Sequence, residues 1–523
     1  MIYLDYAATT PLDPQVRAAM LPWLETDAGF GNPASDHALG RRARKAVEAA
    51  RAQVAALLGA SAEEIIWTSG ATESNNLAIK GALEFRGRAN AHVISSRIEH
   101  KSVLDTLRYL ETQGLRVTYL TPAASGVIEP EQVRAALRPD TALVSLMWVN
   151  NETGAINPVL ELASELRARG VLVHIDAVQA AGKIAVDLAQ LPADLLSVSA
   201  HKLYGPKGIG ALFVRKRPRA RLSPQIHGGG HEQGMRSGTL ATHQIVGFGA
   251  ACALAAAQLG EEGDRIRALR ERLQRQLQSA LPEVLLNAPA AADARAPGIL
   301  NLSFTGVEGE SLRAMLPELM VSSGSACSSA TREPSYVLRA LGRSDELAGA
   351  SLRLSLGRYT TAGQVDAAAT QIIAAVQFLR ELSPQGSGAG TAEPLLKDNV
   401  YEYPAPAWQR FAHLKHDGRL PEDAEVLTAE ADSAAARSLL RLQLRVHGRQ
   451  VRETRFQAYG CPIAIAVGEY LAERLEADGL DALGAISAAV LRDALEISED
   501  KAHCALMGED VLRALLQKTG GKT

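Results

Sequence analysis

The sequence predicts an α/β protein: a large lobe built on a mainly parallel sheet with helices on both faces, a smaller α+β lobe, and a small α+β domain at the end of the chain. Three observations lead there. Between about residues 60 and 215, short apolar β-rich runs alternate with amphipathic helical patterns, the order that buries a parallel sheet between helix layers. A long helical stretch, roughly 243–281, then gives way to mixed α and β up to about 383. Beyond a Gly- and Ser-rich stretch the pattern restarts with two alternating strands and three helices.

The strand-like runs are EEIIWTS (63–69), HVISS (92–96), RVTYL (116–120), ALVSLMWV (142–149), VLVHID (171–176), DLLSVSA (194–200) and IGALFV (209–214). Helical periodicity lies between them, as in SVLDTLRYLETQ (102–113) and VLELASELRARG (159–170). This places a large lobe at about 15–260 and a small lobe at about 261–383, to which residues 1–14 return. Residues 384–398, opening with PQGSGAG, read as a flexible linker. In 399–523, LLRLQLRVHG (439–448) and QVRETRFQAYG (450–460) alternate like antiparallel strands, and helical patterns follow at 462–477, 486–495 and 507–518.

Composition excludes several classes of function. The 55 Lys and Arg against 58 Asp and Glu leave no basic excess for nucleic acid or an anionic membrane. MIYLDYAATT does not read as a signal peptide, and no apolar run is long enough to span a bilayer. Four cysteines in 523 residues make no disulfide framework, so a reducing, cytoplasmic setting is expected. Cys252, Cys327, Cys461 and Cys504 must then each be a core residue, a nucleophile or a ligand. Cys252, among small apolar residues in GAACALAAAQL, reads as helix packing.

Ligands in such folds gather at the carboxyl ends of the strands, and three motifs lie there. TSGATESNN (68–76) joins a strand to a helix through a Gly turn, where backbone N–H groups and the helix dipole favour a phosphate. SAHKLYGPKGIG (199–210) sets Ser199, His201 and Lys202 at the end of a strand, where a lysine suits a Schiff base with a cofactor aldehyde. The bland alternative, a solvated lysine, is carried better by Lys207. Asp176 ends VLVHID and Gln179 follows it by three; a carboxylate there either pairs with a protonated ring nitrogen or caps the next helix. Cys327, in SSGSACSSA (322–330), has only small neighbours and no large apolar anchor, which favours an exposed loop.

Together with YLDYAATTP (3–11), FGNPAS (30–35), EHKSVLDT (99–106), VNNETG (149–154), HGGGHEQGMRSGT (227–239), EPSYVLRALG (333–342) and SLRLSLGR (351–358), these motifs make residues 1–383 resemble the aminotransferase-type cysteine desulfurases that supply iron–sulfur cluster assembly. The resemblance implies the pyridoxal-phosphate (PLP)-dependent transferase fold with a seven-stranded sheet, L-cysteine as substrate, and a homodimer with shared sites. It implies Lys202 as the Schiff-base lysine, His100 against the ring as a proton carrier, Asp176 on the ring nitrogen and Gln179 on the ring oxygen. Ala71, Thr72, Ser199 and His201 would cradle the phosphate, with Thr239 supplied by the other subunit. Asn151 and Arg353 would hold the substrate carboxylate, a task suited to the planar guanidinium fork. Cys327 would take the sulfur as a persulfide, with a transient role as a cluster ligand also open. The competing reading is another reaction on the same cofactor fold, such as an aminotransferase or a selenocysteine lyase, which would share Lys202, His100, Asp176 and Arg353; the Cys327 loop discriminates, since transamination needs no thiol.

LRLQLRV (440–446), TRFQAYGCPIAIAVGEYL (454–471) and KAHCALMGEDVLRALL (501–516) resemble the scaffold on which iron–sulfur clusters are built. That family offers three cysteines, a histidine beside the last, and an aspartate in the loop of the first. Cys461, His503 and Cys504 stand at matching positions, but Ala436 replaces the first cysteine and Ser438 the aspartate. The domain is therefore expected to be a docking module that no longer builds clusters, a sulfur relay through Cys461 or Cys504, or a zinc or cluster site completed by another chain. Partners expected on this reading are sulfur acceptors such as a separate scaffold protein.

Overall fold

The computed structural model describes residues 1–27, 29–87, 91–322, 333–386, 398–433 and 437–519. Cys327, Ala436 and linker residues 387–397 lie outside them. The first eight strands are β1 (Ile2–Tyr3), β2 (Ile65–Thr68), β3 (His92–Ser96), β4 (Arg116–Leu120), β5 (Thr141–Met147), β6 (Leu172–Asp176), β7 (Leu195–Ser199) and β8 (Gly210–Val214). Seven of them form one sheet in the order β2-β8-β7-β6-β5-β3-β4. β3 pairs in parallel with β4 and β5, and β5–β6 and β6–β7 are parallel pairs; β8 is antiparallel to both its neighbours. The mainly parallel seven-stranded sheet expected from the sequence is present. Interior strands β3 and β5–β8 are buried along their whole length because helices cover both faces, whereas edge strand β4 is largely half-exposed.

The helix Thr242–Ala280 spans 39 residues and ties the two lobes together. Ile245, Phe248 and Cys252 pack into the large lobe, while Ile266, Leu273 and Leu277 enter the core of the small one. The small lobe contains β9 (Val284–Leu286), β10 (Ile299–Phe304), β11 (Leu319–Met320) and β12 (Ser351–Ser355). Strands β12-β10-β9 form an antiparallel sheet, and β1 pairs in parallel with β11.

The last segment is an antiparallel sheet of β13 (Val426–Ser433), β14 (Ser438–His447) and β15 (Gln450–Tyr459), covered by the helices Pro462–Asp478 and Ala502–Lys518, on which the helix Ala488–Leu495 packs in turn. The sequence pattern revealed β14 and β15 but not β13, an edge strand whose half-exposed residues lack clean alternation. It also started the last helix five residues late: His503 and Cys504 belong to its first turn. Cys504, Ala505, Met507, Gly508 and Val511 form one buried face, and it is the small residues at its start that hide the helical period.

One continuous apolar core runs from the small lobe into this segment, joining Leu302, Leu312 and Val376 to Leu442, Phe456 and Leu471. Polar ties reinforce it. Ser311 Oγ donates to Gly460 O at 2.7 Å, Arg437 bonds Asp345 at 2.9 Å, and Gln457 Nε2 donates to Ser383 O at 3.1 Å. Among the described residues no helix is long and apolar enough to cross a membrane.

Candidate active site and thiol pair

A cavity of about 600 Å³ opens at the carboxyl ends of β5, β6 and β7, and Ala71, Thr72, His100, Asn151, Asp176, Gln179, Ser199, His201, Lys202 and Arg353 all line it. Lys202 lies in the turn after β7, and its Nζ donates to Ala7 O and Ala8 O, both at 2.6 Å. Those carbonyls are brought there by the N-terminal motif, whose Thr10 bonds His201 O through both N and Oγ1. Burial and the neighbouring Lys202 lower the His201 pKa to about 4, so the ring is neutral.

Asp176, at the end of β6, accepts from Asn75 Nδ2 at 2.9 Å and from Val178 N at 3.0 Å. Asn75 also donates to Ser102 Oγ at 2.9 Å, and Ser102 Oγ lies 2.8 Å from His100 Nδ1. A chain of hydrogen bonds thus sets the carboxylate and the imidazole in fixed relation. Gln179 donates to Ala7 O at 2.8 Å and accepts from Lys183 Nζ at 2.5 Å. Burial, with Lys202 close by, lowers Lys183 to about 7.

Arg353 projects from β12 and is 1% exposed. Its Nη2 donates to Asp5 Oδ1 at 2.7 Å and its Nη1 to Asn151 O at 3.1 Å. Cys327 belongs to residues 323–332, which lie outside the described residues. Before them, Ser322 pairs with the Arg353 backbone; after them, Ser335 Oγ donates to Glu152 Oε2 at 2.5 Å and Tyr336 lines the cavity. Glu152 is buried, which raises its pKa. Thr239 is exposed and does not line the cavity. Its loop is held to the helix Ala71–Phe85 through Arg236 and Glu73, 2.8 Å apart.

The cavity fits pyridoxal phosphate. The helix Ala71–Phe85 points its free backbone N–H groups into it, and at Gly70 (φ +154°) an added Cβ would meet nothing within 4 Å, leaving room for an anion. Asn151 Oδ1 is buried with no hydrogen-bond partner among the described residues, as expected of a group awaiting a ligand.

At the far end of the chain, Cys461 caps the helix Pro462–Asp478 and its Sγ lies 3.7 Å from Cys504 Sγ. With His503 they form a group of donor atoms all within 4.8 Å of one another. Hydrogen bonding from Cys504 holds Cys461 well below the usual thiol range, helped by His503 and Lys501 and opposed by burial. Ser438 lies beside the Gly460 turn, 3.0 Å from where a Cβ there would sit, and Ala436 is outside the described residues. Two sulfurs and one imidazole suit zinc with one further ligand, but do not fit a cluster held by thiolates. Cys252, 1% exposed and raised by burial, packs as its sequence context suggested.

The family model "Aminotransferase class-V" matches residues 2–368 and "NifU-like N terminal domain" matches 402–523. The chain belongs to the class-V aminotransferase family. It is 56% identical over 384 residues to "Cysteine desulfurase IscS" of Stutzerimonas stutzeri (strain A1501), covering 73% of this chain and 94% of that protein. Among solved structures, "NIFS-LIKE PROTEIN" aligns with TM-score 0.66 at 36% identity over 71% of this chain and 98% of that one. "SspA in complex with cysteine" aligns with TM-score 0.60 at 38% identity over 69% and 100%. These likenesses bear out both resemblances drawn from the motifs, and with them the fold. For this class-V member, sequence reasoning passed over Asn75, Glu152 and Lys183, although each lies within or beside a quoted motif; it also passed over Lys501, Glu310 and Tyr403 near the thiol pair.

Proposed function

We propose that this chain is a pyridoxal-phosphate-dependent cysteine desulfurase, converting L-cysteine to L-alanine and leaving the sulfur as a persulfide on Cys327, for iron–sulfur cluster assembly or another acceptor. Bound at this site, the cofactor supplies an electron sink for bonds at the amino acid's α-carbon. The chain's own residues do the rest. Lys202 Nζ holds the cofactor aldehyde and, once displaced by substrate, takes the α-proton. Asp176, oriented by Asn75, pairs with the ring nitrogen, and Gln179 bonds the ring oxygen. His100, its Nδ1 tied to Ser102, keeps Nε2 as the nitrogen that carries a proton. Arg353 and Asn151 receive the substrate carboxylate, which puts the sulfur within reach of the Cys327 thiolate. Thr239, exposed on its loop, serves the phosphate site of a second copy in a homodimer. A free thiol at Cys327 requires a reducing compartment such as the cytoplasm. The terminal domain docks on the small lobe and relays sulfur.

The convergence of Lys202, Asp176, His100 and Arg353 on one cavity supports this reading most. The test is alanine formation from L-cysteine by the purified chain supplied with pyridoxal phosphate and a reductant. Lys202→Ala is expected to abolish it together with the visible cofactor band, and Cys327→Ala to abolish persulfide. A wild-type chain that loads cofactor yet forms no alanine overturns the reading.

A further inference from the structure

The terminal domain has too few thiols for a cluster, yet the two it keeps are in contact. Of the four cysteines in the chain, Cys252 is sealed in the large-lobe core, which leaves Cys327, Cys461 and Cys504 for sulfur chemistry. Cys461 and Cys504 Sγ are 3.7 Å apart, close enough to reach the roughly 2.0 Å of a disulfide by small side-chain shifts. Each sits at the start of a long helix, Pro462–Asp478 or Ala502–Lys518, and Cys461, as the residue that caps the first of these, lies beside backbone N–H groups that favour a thiolate. His503 bonds Cys461, and its ring lies within 4.8 Å of both sulfurs. The small lobe, which also carries the Cys327 segment, clamps this spot. Ser311 Oγ bonds Gly460 O at 2.7 Å, and Glu310 accepts from Tyr403 at 2.6 Å and from Lys501 at 2.5 Å.

We propose that Cys461 and Cys504 are a reducing dithiol that converts the sulfur delivered by Cys327 into free sulfide. The proposal rests on the desulfurase reading above. Cys461, 5% exposed against 0% for Cys504, is the acceptor. Its thiolate attacks the outer sulfur of the Cys327 persulfide; that S–S bond breaks, Cys327 leaves as a thiolate, and the persulfide now sits on Cys461 with no net redox change. Cys504 gives its proton to the His503 imidazole and attacks the inner sulfur of the Cys461 persulfide. The Cys461–Cys504 disulfide forms and hydrosulfide leaves. The two thiols lose two electrons and the transferred sulfur gains them, so two thiols are the number the step consumes. An external dithiol reductant restores the pair.

The experiment uses the full-length, cofactor-loaded chain, reduced and then freed of reductant under anaerobic conditions. One equivalent of sulfur-labelled L-cysteine is added per protomer, and alanine, labelled sulfide and cysteine peptides are measured. The expected result is alanine with a near-equal amount of labelled sulfide and a Cys461–Cys504 disulfide. Cys504→Ser is expected to trap the labelled sulfur on Cys461 and suppress sulfide release. Alanine formation with the label retained on Cys327 and both distal thiols free overturns the proposal while sparing the desulfurase reading. So does tightly held zinc that blocks both thiols. If no alanine forms, the desulfurase reading fails, and a low-molecular-weight persulfide added to the same chain then tests the dithiol alone: no disulfide and no sulfide overturns it.

Discussion

Arg353→Lys separates carboxylate recognition from mere charge. In the structure both terminal nitrogens of Arg353 already make directed bonds, Nη2 to Asp5 and Nη1 to Asn151 O, and the side chain is 2% exposed. A lysine keeps the positive charge but offers a single compact ammonium, so it cannot hold Asp5 and grip both oxygens of a substrate carboxylate from one plane. The loss is then one charge-assisted hydrogen bond, about 1.5–3 kcal/mol. At about 1.4 kcal/mol per decade, kcat/KM for L-cysteine falls by about 10- to 150-fold, mainly through KM. The assay is alanine formation against cysteine concentration, with the cofactor band measured on the same samples. An unchanged KM in a fully loaded variant would refute carboxylate recognition by Arg353 and leave it a bracket for Asp5.

Three other perturbations follow from the structure. Asn75→Ala removes the donor shared by Asp176 and Ser102; a loss of about 1.5–3 kcal/mol, or about 10- to 150-fold weaker cofactor binding, is expected by titration with pyridoxal phosphate, and unaltered affinity would show that Asp176 is held by other means. Arg51→Ala strands buried Glu232, which accepts from both Arg51 terminal nitrogens at 2.7 and 2.9 Å; thermal or denaturant unfolding should register a loss of about 3–5 kcal/mol, and a loss below about 1 kcal/mol would mean Glu232 finds protons or water instead. His416 is raised above its usual pKa by its bond to Glu469 at 2.7 Å, so its stabilisation is complete below about pH 6.5 and is lost as pH rises through the folded value. Melting of wild type and His416→Gln at about pH 6 and 8 should show a wider gap at the acid end; a gap that does not vary with pH counts against the ion pair.

How much was legible in the sequence depended on how local the cause was. HVISS and RVTYL coincide with β3 and β4 because apolar β-rich runs bounded by polar residues need no tertiary information. Lys202 and Asp176 were legible because strand ends in an open α/β sheet are where ligands gather. Asn75 was not, since its value lies in contact with Asp176, 101 residues away, and an asparagine in a helix announces nothing by itself. Thr239 shows the reverse case: the motif singled it out, yet it lies outside the cavity of its own chain. β13 escaped because an edge strand packs on too little to impose a period.

The fusion changes meaning once the shared core is considered. A flexible tether alone would raise the local concentration of a roaming acceptor, and its benefit would vary with linker length. Here Leu442 and Phe456 lie in the same apolar cluster as Leu302 and Leu312, and Ser383 and Pro384, which flank the start of the expected linker, accept hydrogen bonds from Gln457 and Arg441. Releasing the terminal domain would therefore expose core surface on both sides, a cost that scales with apolar area and far exceeds thermal energy. Cys461 and Cys504 are thereby fixed against the small lobe, through Ser311 to Gly460 and Glu310 to Lys501. A docked position selects one acceptor by geometry, and a freely diffusing scaffold would have to displace a packed interface to compete for the same face.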